Sequence, residues 1–324
     1  DKNDFQKVVD ECYMCDLCYQ TKCPYVPPHP WALDFPHLML RGKAIAYQEK
    51  NKSLKQRARD SALTSTDSLG KLMKLPLVDI TYEAISKSPK ARKIASKITG
   101  VHEEAPWPNF EKSVKTYIPK SIENVTATDK TTGKVALFTG CYCRNNDAEL
   151  ANDLLKVFEH NNIETRVILD DKCCGMPKLD LGDLKSVENL MKHNVPKLLQ
   201  EIDEGFDIIS LVPSCVLMFK QELPLLFDEN DDLKKIKQHI FDPFEYLSDR
   251  ESKGLMNKSF KNSLGKIAYQ VACHQRVQNI GPKTKELLEM VPDTEVQAIE
   301  RCSGHDGTYA VREETHKNSV KIAR

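Results

Sequence analysis

The strongest constraint on the fold is a unit that occurs twice after residue 134. It consists of a strand-like apolar run ending in cysteine, a helix, a second strand-like run, and a cysteine followed closely by glycine. In the first copy "KVALFTGC" ends at Cys141, and "ETRVILD" leads to Cys173-Cys174-Gly175. In the second copy "KIAYQVAC" ends at Cys273, and "TEVQAIE" leads to Cys302-Ser303-Gly304. Short apolar runs alternating with helical periodicity predict an α/β layer fold with parallel strands. Between the first two runs, "DAELANDLLKVFEHNN" puts Ala151, Leu154, Leu155 and Phe158 on one helical face. A helical stretch from about 181 to 204, interrupted at Pro196, leads to the strand-like "FDIISLV". The segment "IISLVPSCVLMF" reads as a buried strand and turn carrying Cys215. In copy two the helix is "KTKELLEMV", and a last helix is expected from about Tyr309 to the end.

Parallel pairing puts the carboxyl ends of neighbouring strands on one edge, where open α/β folds hold their ligands. Cys141, Cys173, Cys174 and Cys215 each follow a strand-like run, so the four thiols are expected to converge there on a metal cluster. Gly175 permits a tight turn or a close backbone approach beside the cysteine pair. The blander readings are a vicinal disulfide or two thiols packed as small hydrophobes. Cys143 reads as such a core thiol. Cys273 and Cys302 are the corresponding thiols of copy two. His274, Arg276 and His305 lie next to them in sequence and read as groups that hydrogen-bond to, or balance the charge of, a cluster rather than ligate it.

A second cysteine pattern opens the chain. "ECYMCDLCYQTKCPYVPPHPW" has the spacing C-x2-C-x2-C-x4-C-P through Cys12, Cys15, Cys18 and Cys23. A ferredoxin run differs by one residue in the last gap, whereas zinc sites usually separate C-x2-C pairs by a longer loop. An iron–sulfur cluster is therefore the expectation. In two-cluster ferredoxins the fourth cysteine of each run serves the other cluster. With one run present and copy two ending in its last helix, the chain is expected to be extended at both ends in its full form. His29, Trp31 and His37 read as packing within the proline-rich wrap.

The eleven cysteines are odd in number and clustered, unlike a disulfide framework. Lys plus Arg equals Asp plus Glu at 47 each, which gives nucleic acid no electrostatic support as the main partner. No apolar run approaches the ~20 residues that span a bilayer. "KSPKARKIASK", residues 87 to 97, is basic without an acid and reads as a solvated helix face, or as a dock for an acidic partner or lipid head groups. The expected organisation is a partial ferredoxin-like domain at 1–36, a helical spacer at 37–100, a linker at 101–133, copy one at 134–250 and copy two at 251–324.

The repeated unit resembles the cysteine-rich CCG domain of heterodisulfide reductases and their relatives. The Cys141 to Cys173-Cys174-Gly175 interval fits that pattern. Met218 stands where the pattern's later C-x2-C would have its second cysteine, and Ser303 replaces one of the adjacent pair in copy two. "CDLCYQTKCPYVPPHPWALDFPHLMLR", "CHQRVQNIG" and "CSGHDGTYAVR" resemble the iron–sulfur subunits of anaerobic glycerol-3-phosphate dehydrogenase and glycolate oxidase. The resemblance implies 4Fe-4S clusters, with a cubane or a non-cubane arrangement open in the CCG unit. It implies a cytoplasmic subunit, peripheral to the inner membrane, carrying electrons from a flavoprotein dehydrogenase to quinone or another membrane-anchored acceptor. Reduction of a disulfide substrate at the CCG cluster is the alternative, and a zinc-stabilised scaffold the third reading.

Overall fold

The computed structural model describes residues 2–15, 23–26, 28–111, 118–119, 121–305 and 307–324. The chain forms two compact units. One takes Asp1–Lys112, Gly175–Asn189 and Cys302–Arg324; the other takes Ser113–Cys174 and Leu190–Arg301.

The second unit holds the α/β layer. Strands β1 (Lys134–Leu137), β2 (Glu164–Val167), β3 (Asp207–Ile209) and β4 (Ile240–Phe241) form one sheet in the order β2-β1-β3-β4. Every neighbouring pair is parallel. Val135, Ala136, Leu137, Ile208 and Ile209 are all buried, so β1 and β3 read as continuous apolar runs rather than alternating ones. The helix Ala148–His160 crosses from β1 to β2. The Asp147 carboxylate caps it by accepting from the Leu150 amide at 3.2 Å. Its buried stripe is Ala151, Leu154, Leu155 and Phe158, the face expected from the sequence, and it meets Val135, Leu137, Ile163, Ile209 and Tyr246 in the core. Burial of one such large apolar side chain is worth about 1.5–3 kcal/mol.

Three local expectations change. The helix Leu184–Asp203 is continuous, with Pro196 inside it. The segment carrying Cys215 is not strand and turn: β3 ends at Ile209, and Cys215 lies on a short helix, Pro213–Leu217, whose first residue is the proline. Proline suits a first helical turn because that position needs no amide donor. The last helix of the chain is His316–Ala323, preceded by a 3-10 turn at Tyr309–Val311. The strand β4, only two residues long, is too short for periodicity to mark it. The second copy contributes β5 (Gly265–Gln270) and β6 (Thr294–Ile299), a separate parallel pair.

The first unit is helical over residues 35 to 99, in helices Phe35–Gln48, Leu54–Thr64, Thr66–Met73, Pro76–Lys87 and Pro89–Thr99. A further helix, Lys2–Glu11, precedes the first cysteines. Arg59 ties these helices to the chain's last residues. Its guanidinium makes a two-pronged pair with Glu314 at 2.7 and 2.8 Å, bonds Asp60 at 2.9 Å, and donates to the Gly100 carbonyl at 3.1 Å. Partial burial would push the Glu314 carboxyl up, but the Arg59 bonds outweigh it and hold it at about 2. Arg59 and Asp60 are almost wholly buried, so removing the guanidinium leaves Asp60 with Lys52 alone at 2.8 Å, and takes the partner from Glu314 and the donor from the Gly100 carbonyl. Arg59→Ala is expected to cost about 3 kcal/mol in urea denaturation, whereas the exposed Lys156→Ala should leave the midpoint where it is. Equal effects would contradict this role for Arg59.

Candidate metal centre

In the sheet order β2-β1-β3-β4 the chain leaves β1 toward one side for β2 and returns on the other side for β3. The order therefore reverses between β1 and β3, and the crevice outside their carboxyl ends is where such folds place ligands. Cys173, Cys174 and Cys215 come together there. After β1 the chain turns at Gly140, with φ of +63°, into the short helix Gly140–Asn145 carrying Cys141 and Cys143. A Cβ at Gly140 would lie 3.4 Å from the Cys215 sulfur, so the β1 loop and the Cys215 helix meet at the crevice. The Cys174 thiol hydrogen-bonds with the thiols of both Cys173 and Cys215, and all three residues are about 3 % exposed. Those two bonds and burial raise the Cys174 thiol well above its ordinary range. Cys143 packs in the hydrophobic core, as expected, and burial with the nearby Cys215 pushes its thiol up to about 12.

The cysteine loops are held by polar groups that carry no motif of their own. The buried Asp171 carboxylate accepts from the Gly140 amide at 2.8 Å and the Thr139 hydroxyl at 3.0 Å, and pairs with Arg144 at 2.6 Å. It thereby locks the loop before Cys173 to the loop bearing Cys141. Asn194 accepts from the Lys172 amide at 2.9 Å and donates to the Cys173 carbonyl at 3.2 Å. The only sequence signal for Asp171 is its place two residues before the cysteine pair. Gly175 follows with φ of +101°, a conformation that other residues rarely adopt.

The first helix of copy two, Cys273–Arg276, packs on the Cys215 helix. His274 Nδ1 and the Ser214 hydroxyl are 2.7 Å apart, and the Gln278 amide donates to the Pro213 carbonyl at 3.2 Å. Arg276 pairs with Glu300 at 3.0 Å, which offsets its charge. Cys302, Gly304 and the exposed His305 belong to the other unit, so Cys273 and Cys302 fall in different units.

In that other unit Cys12, Cys15 and Cys23 are half-buried, and Cys18 lies outside the described residues. The Cys12 sulfur accepts from the Met14 amide at 3.4 Å, and the Cys302 sulfur accepts from the Gly304 amide at 3.4 Å. Tyr13 joins the two segments: its hydroxyl donates to the Gly304 carbonyl at 3.3 Å, and its ring meets Tyr309 at 4.4 Å. Lys43 donates to the Cys12 carbonyl at 2.7 Å and to Asp180 at 2.9 Å. Gly304 is obligatory, because a Cβ there would sit 2.2 Å from the Ser319 carbonyl. His37 pairs with Asp34 at 2.7 Å, and His29 packs edge-on to Trp31 and Tyr25. Trp31 is 66 % exposed and stacks on Tyr25, so these aromatics form a surface cluster rather than a core.

The donor set in the crevice suits an iron–sulfur group: a Cys174 thiol in contact with those of Cys173 and Cys215, largely shielded from water, on loops fixed by hydrogen bonds. Residues 135–220 match the family model of the CCG cysteine-rich domain. The chain is similar to a subunit of the anaerobic glycerol-3-phosphate dehydrogenase of Escherichia coli (strain K12), 24 % identical over 82 % of this chain and 65 % of that protein. It is similar to a subunit of the fumarate reductase (CoM/CoB) of Methanothermobacter marburgensis, 26 % identical over 54 % of this chain and 33 % of that protein. It is also similar to lactate utilization protein A of Bacillus licheniformis, 25 % identical over 55 % of this chain and 75 % of that protein. The chain thus spans just under two thirds of the glycerol-3-phosphate dehydrogenase subunit that it matches over most of its own length. No solved structure matches it.

Asp171→Ala would leave Arg144 and the Gly140 amide without their buried acceptor. The expected cost is about 1–3 kcal/mol, and alkylation of Cys174 and Cys215 in the metal-free folded protein should accelerate. Unchanged alkylation would show that Asp171 does not hold the loop.

Proposed function

We propose that this chain is an iron–sulfur electron-transfer subunit that works with a flavoprotein dehydrogenase. The observation that carries the reading is the contact of the Cys173, Cys174 and Cys215 thiols at the crevice between β1 and β3. An iron–sulfur group held there would supply one-electron redox chemistry. Cys173, Cys174 and Cys215 would hold it, with Cys141 and Cys273 as the further candidate ligands on the two neighbouring short helices. Asp171 and Asn194 fix the loops, and the apolar core beneath excludes water. The match to the CCG domain supports the reading, as does the likeness to the glycerol-3-phosphate dehydrogenase subunit and to lactate utilization protein A.

The N-terminal run is the proposed second centre, with Cys12, Cys15 and Cys18 as ligands of a ferredoxin-like 4Fe-4S cluster and Cys23 as a ligand of a further one. Amide-to-sulfur bonds such as that from Met14 to Cys12 stabilise negative charge on sulfur and so raise a cluster's reduction potential. The proposed electron donor is a flavoprotein that oxidises glycerol 3-phosphate or a 2-hydroxy acid, and the proposed acceptor is quinone at the membrane. Among the described residues no helix is long and apolar enough to cross a membrane. A peripheral, cytoplasmic placement at the inner membrane is proposed instead. The exposed Leu77, Ile80, Ile94 and Ile98, with Lys90, Lys93 and Lys97 nearby in sequence, support it.

The CCG match, on the unit whose sequence resembles that of heterodisulfide reductases, favours a second reading, turnover of a disulfide substrate at the same thiols. Anaerobic purification separates the possibilities. The expected result is a brown protein with iron and sulfide, reduced by a flavoprotein dehydrogenase with its substrate and inert toward disulfides. Cys215→Ser should remove the signal of one centre and leave the N-terminal one. A colourless zinc protein would overturn the proposal, and disulfide turnover without a flavoprotein would favour the second reading.

A further inference from the structure

We propose that His102, Glu104 and His316 form a binding site for one divalent transition-metal ion of the zinc type. One ligand atom from each lies within 4.8 Å of the others, and all three residues belong to the helical unit. The site shares no residue with the cysteine centres. Two imidazoles and a carboxylate are a familiar donor set for zinc, leaving a fourth position for water.

The two histidines are built into the fold independently. His316 is 7 % exposed and opens the helix His316–Ala323. Its Nδ1 lies 2.7 Å from the Ala310 carbonyl, an acceptor only, so Nδ1 carries the proton and Nε2 presents a lone pair. Metal-binding histidines are usually oriented by this kind of bond to a carbonyl. The segment bearing His102 is pinned to the same stretch by backbone bonds. The His102 amide donates to the Val311 carbonyl at 2.8 Å, and the Glu313 amide donates to the Gly100 carbonyl at 2.9 Å. These bonds bring the imidazoles face to face, with ring centroids 4.0 Å apart and planes inclined by 20°.

Zinc bonds of about 2.0–2.2 Å require ligand atoms to approach to roughly 3–3.5 Å. His102 and the exposed Glu104 must supply that movement: an imidazole lone pair lies in its ring plane, so the half-buried His102 ring has to turn out of the stack while His316 stays fixed, and the turn itself is held by the Ala105 amide on the His102 carbonyl at 3.1 Å and by Arg92 on the Ala105 carbonyl. One contact is given up: His102 Nδ1 accepts from the Glu104 amide at 3.2 Å, and binding rearranges that long bond. A bound ion would clip the 101–105 segment to the final helix, next to the Arg59–Glu314 pair.

Cysteines also bind zinc, so the test uses anaerobically prepared protein already loaded with iron. After zinc addition and desalting, wild type is expected to retain one zinc per chain more than His102→Ala or Glu104→Ala, at equal iron content. Zinc-edge X-ray absorption should show imidazole neighbours and no sulfur shell. Saturating zinc should raise the melting temperature of wild type but not of His102→Ala, because a ligand that binds only the folded state stabilises it. Equal zinc in wild type and both variants, or a sulfur shell around the ion, would overturn the proposal.

Discussion

The buried Cys174 thiol, bonded to the thiols of both Cys173 and Cys215, is the constraint around which the α/β unit is arranged. A thiol is a weak hydrogen-bonding group, so the Cys173–Cys174–Cys215 contact offers little stability of its own. As an apolar packing element it is a poor substitute for a leucine. Its arrangement becomes intelligible if the thiols ionise around a metal, because a coordinated thiol loses its proton even where burial would otherwise forbid it. The surrounding polar groups fit that demand. The Asp171 carboxylate takes the Gly140 amide, the Thr139 hydroxyl and Arg144, and Asn194 takes the backbone on either side of Lys172, so both cysteine loops are fixed in place.

The strand order explains how residues so far apart in sequence reach one place. Cys141 and Cys143 follow β1, Cys173 and Cys174 follow β2, and Cys215 follows β3. Parallel strands deliver all three loops to one edge, and the reversal at β1 opens the crevice between the β1 and β3 loops. A one-residue change in loop direction matters here, which is why Gly140 and Gly175 take conformations closed to most side chains.

Much of this is legible in the sequence. Buried strands of Val, Ile, Leu and Ala announce themselves, and the stripe Ala151, Leu154, Leu155, Phe158 has an unambiguous helical period. Cysteine position after each strand then implies the shared edge. Less legible are features set by tertiary contact. Nothing local to Asp171 says that its carboxylate will cap a loop thirty-odd residues earlier in the chain. Pro196 reads as a break because helix interiors disfavour proline. The buried face of that helix, with Val195 and Leu198, overrides the local cost. The strand reading of the Cys215 segment fails for a similar reason. Its apolar run continues from β3 into a buried helix, and periodicity cannot tell a short buried strand from a short buried helix. The link from Tyr13 to Gly304 joins the two ends of the chain, and no local pattern encodes such a contact.

The central claim is that the thiols at the β1–β3 crevice hold iron by themselves. The direct test is iron K-edge X-ray absorption on a variant with Cys12, Cys15, Cys18 and Cys23 all replaced by serine, prepared without oxygen. The account predicts retained iron with a sulfur first shell and iron–iron scattering. A folded variant that retains no iron would contradict it.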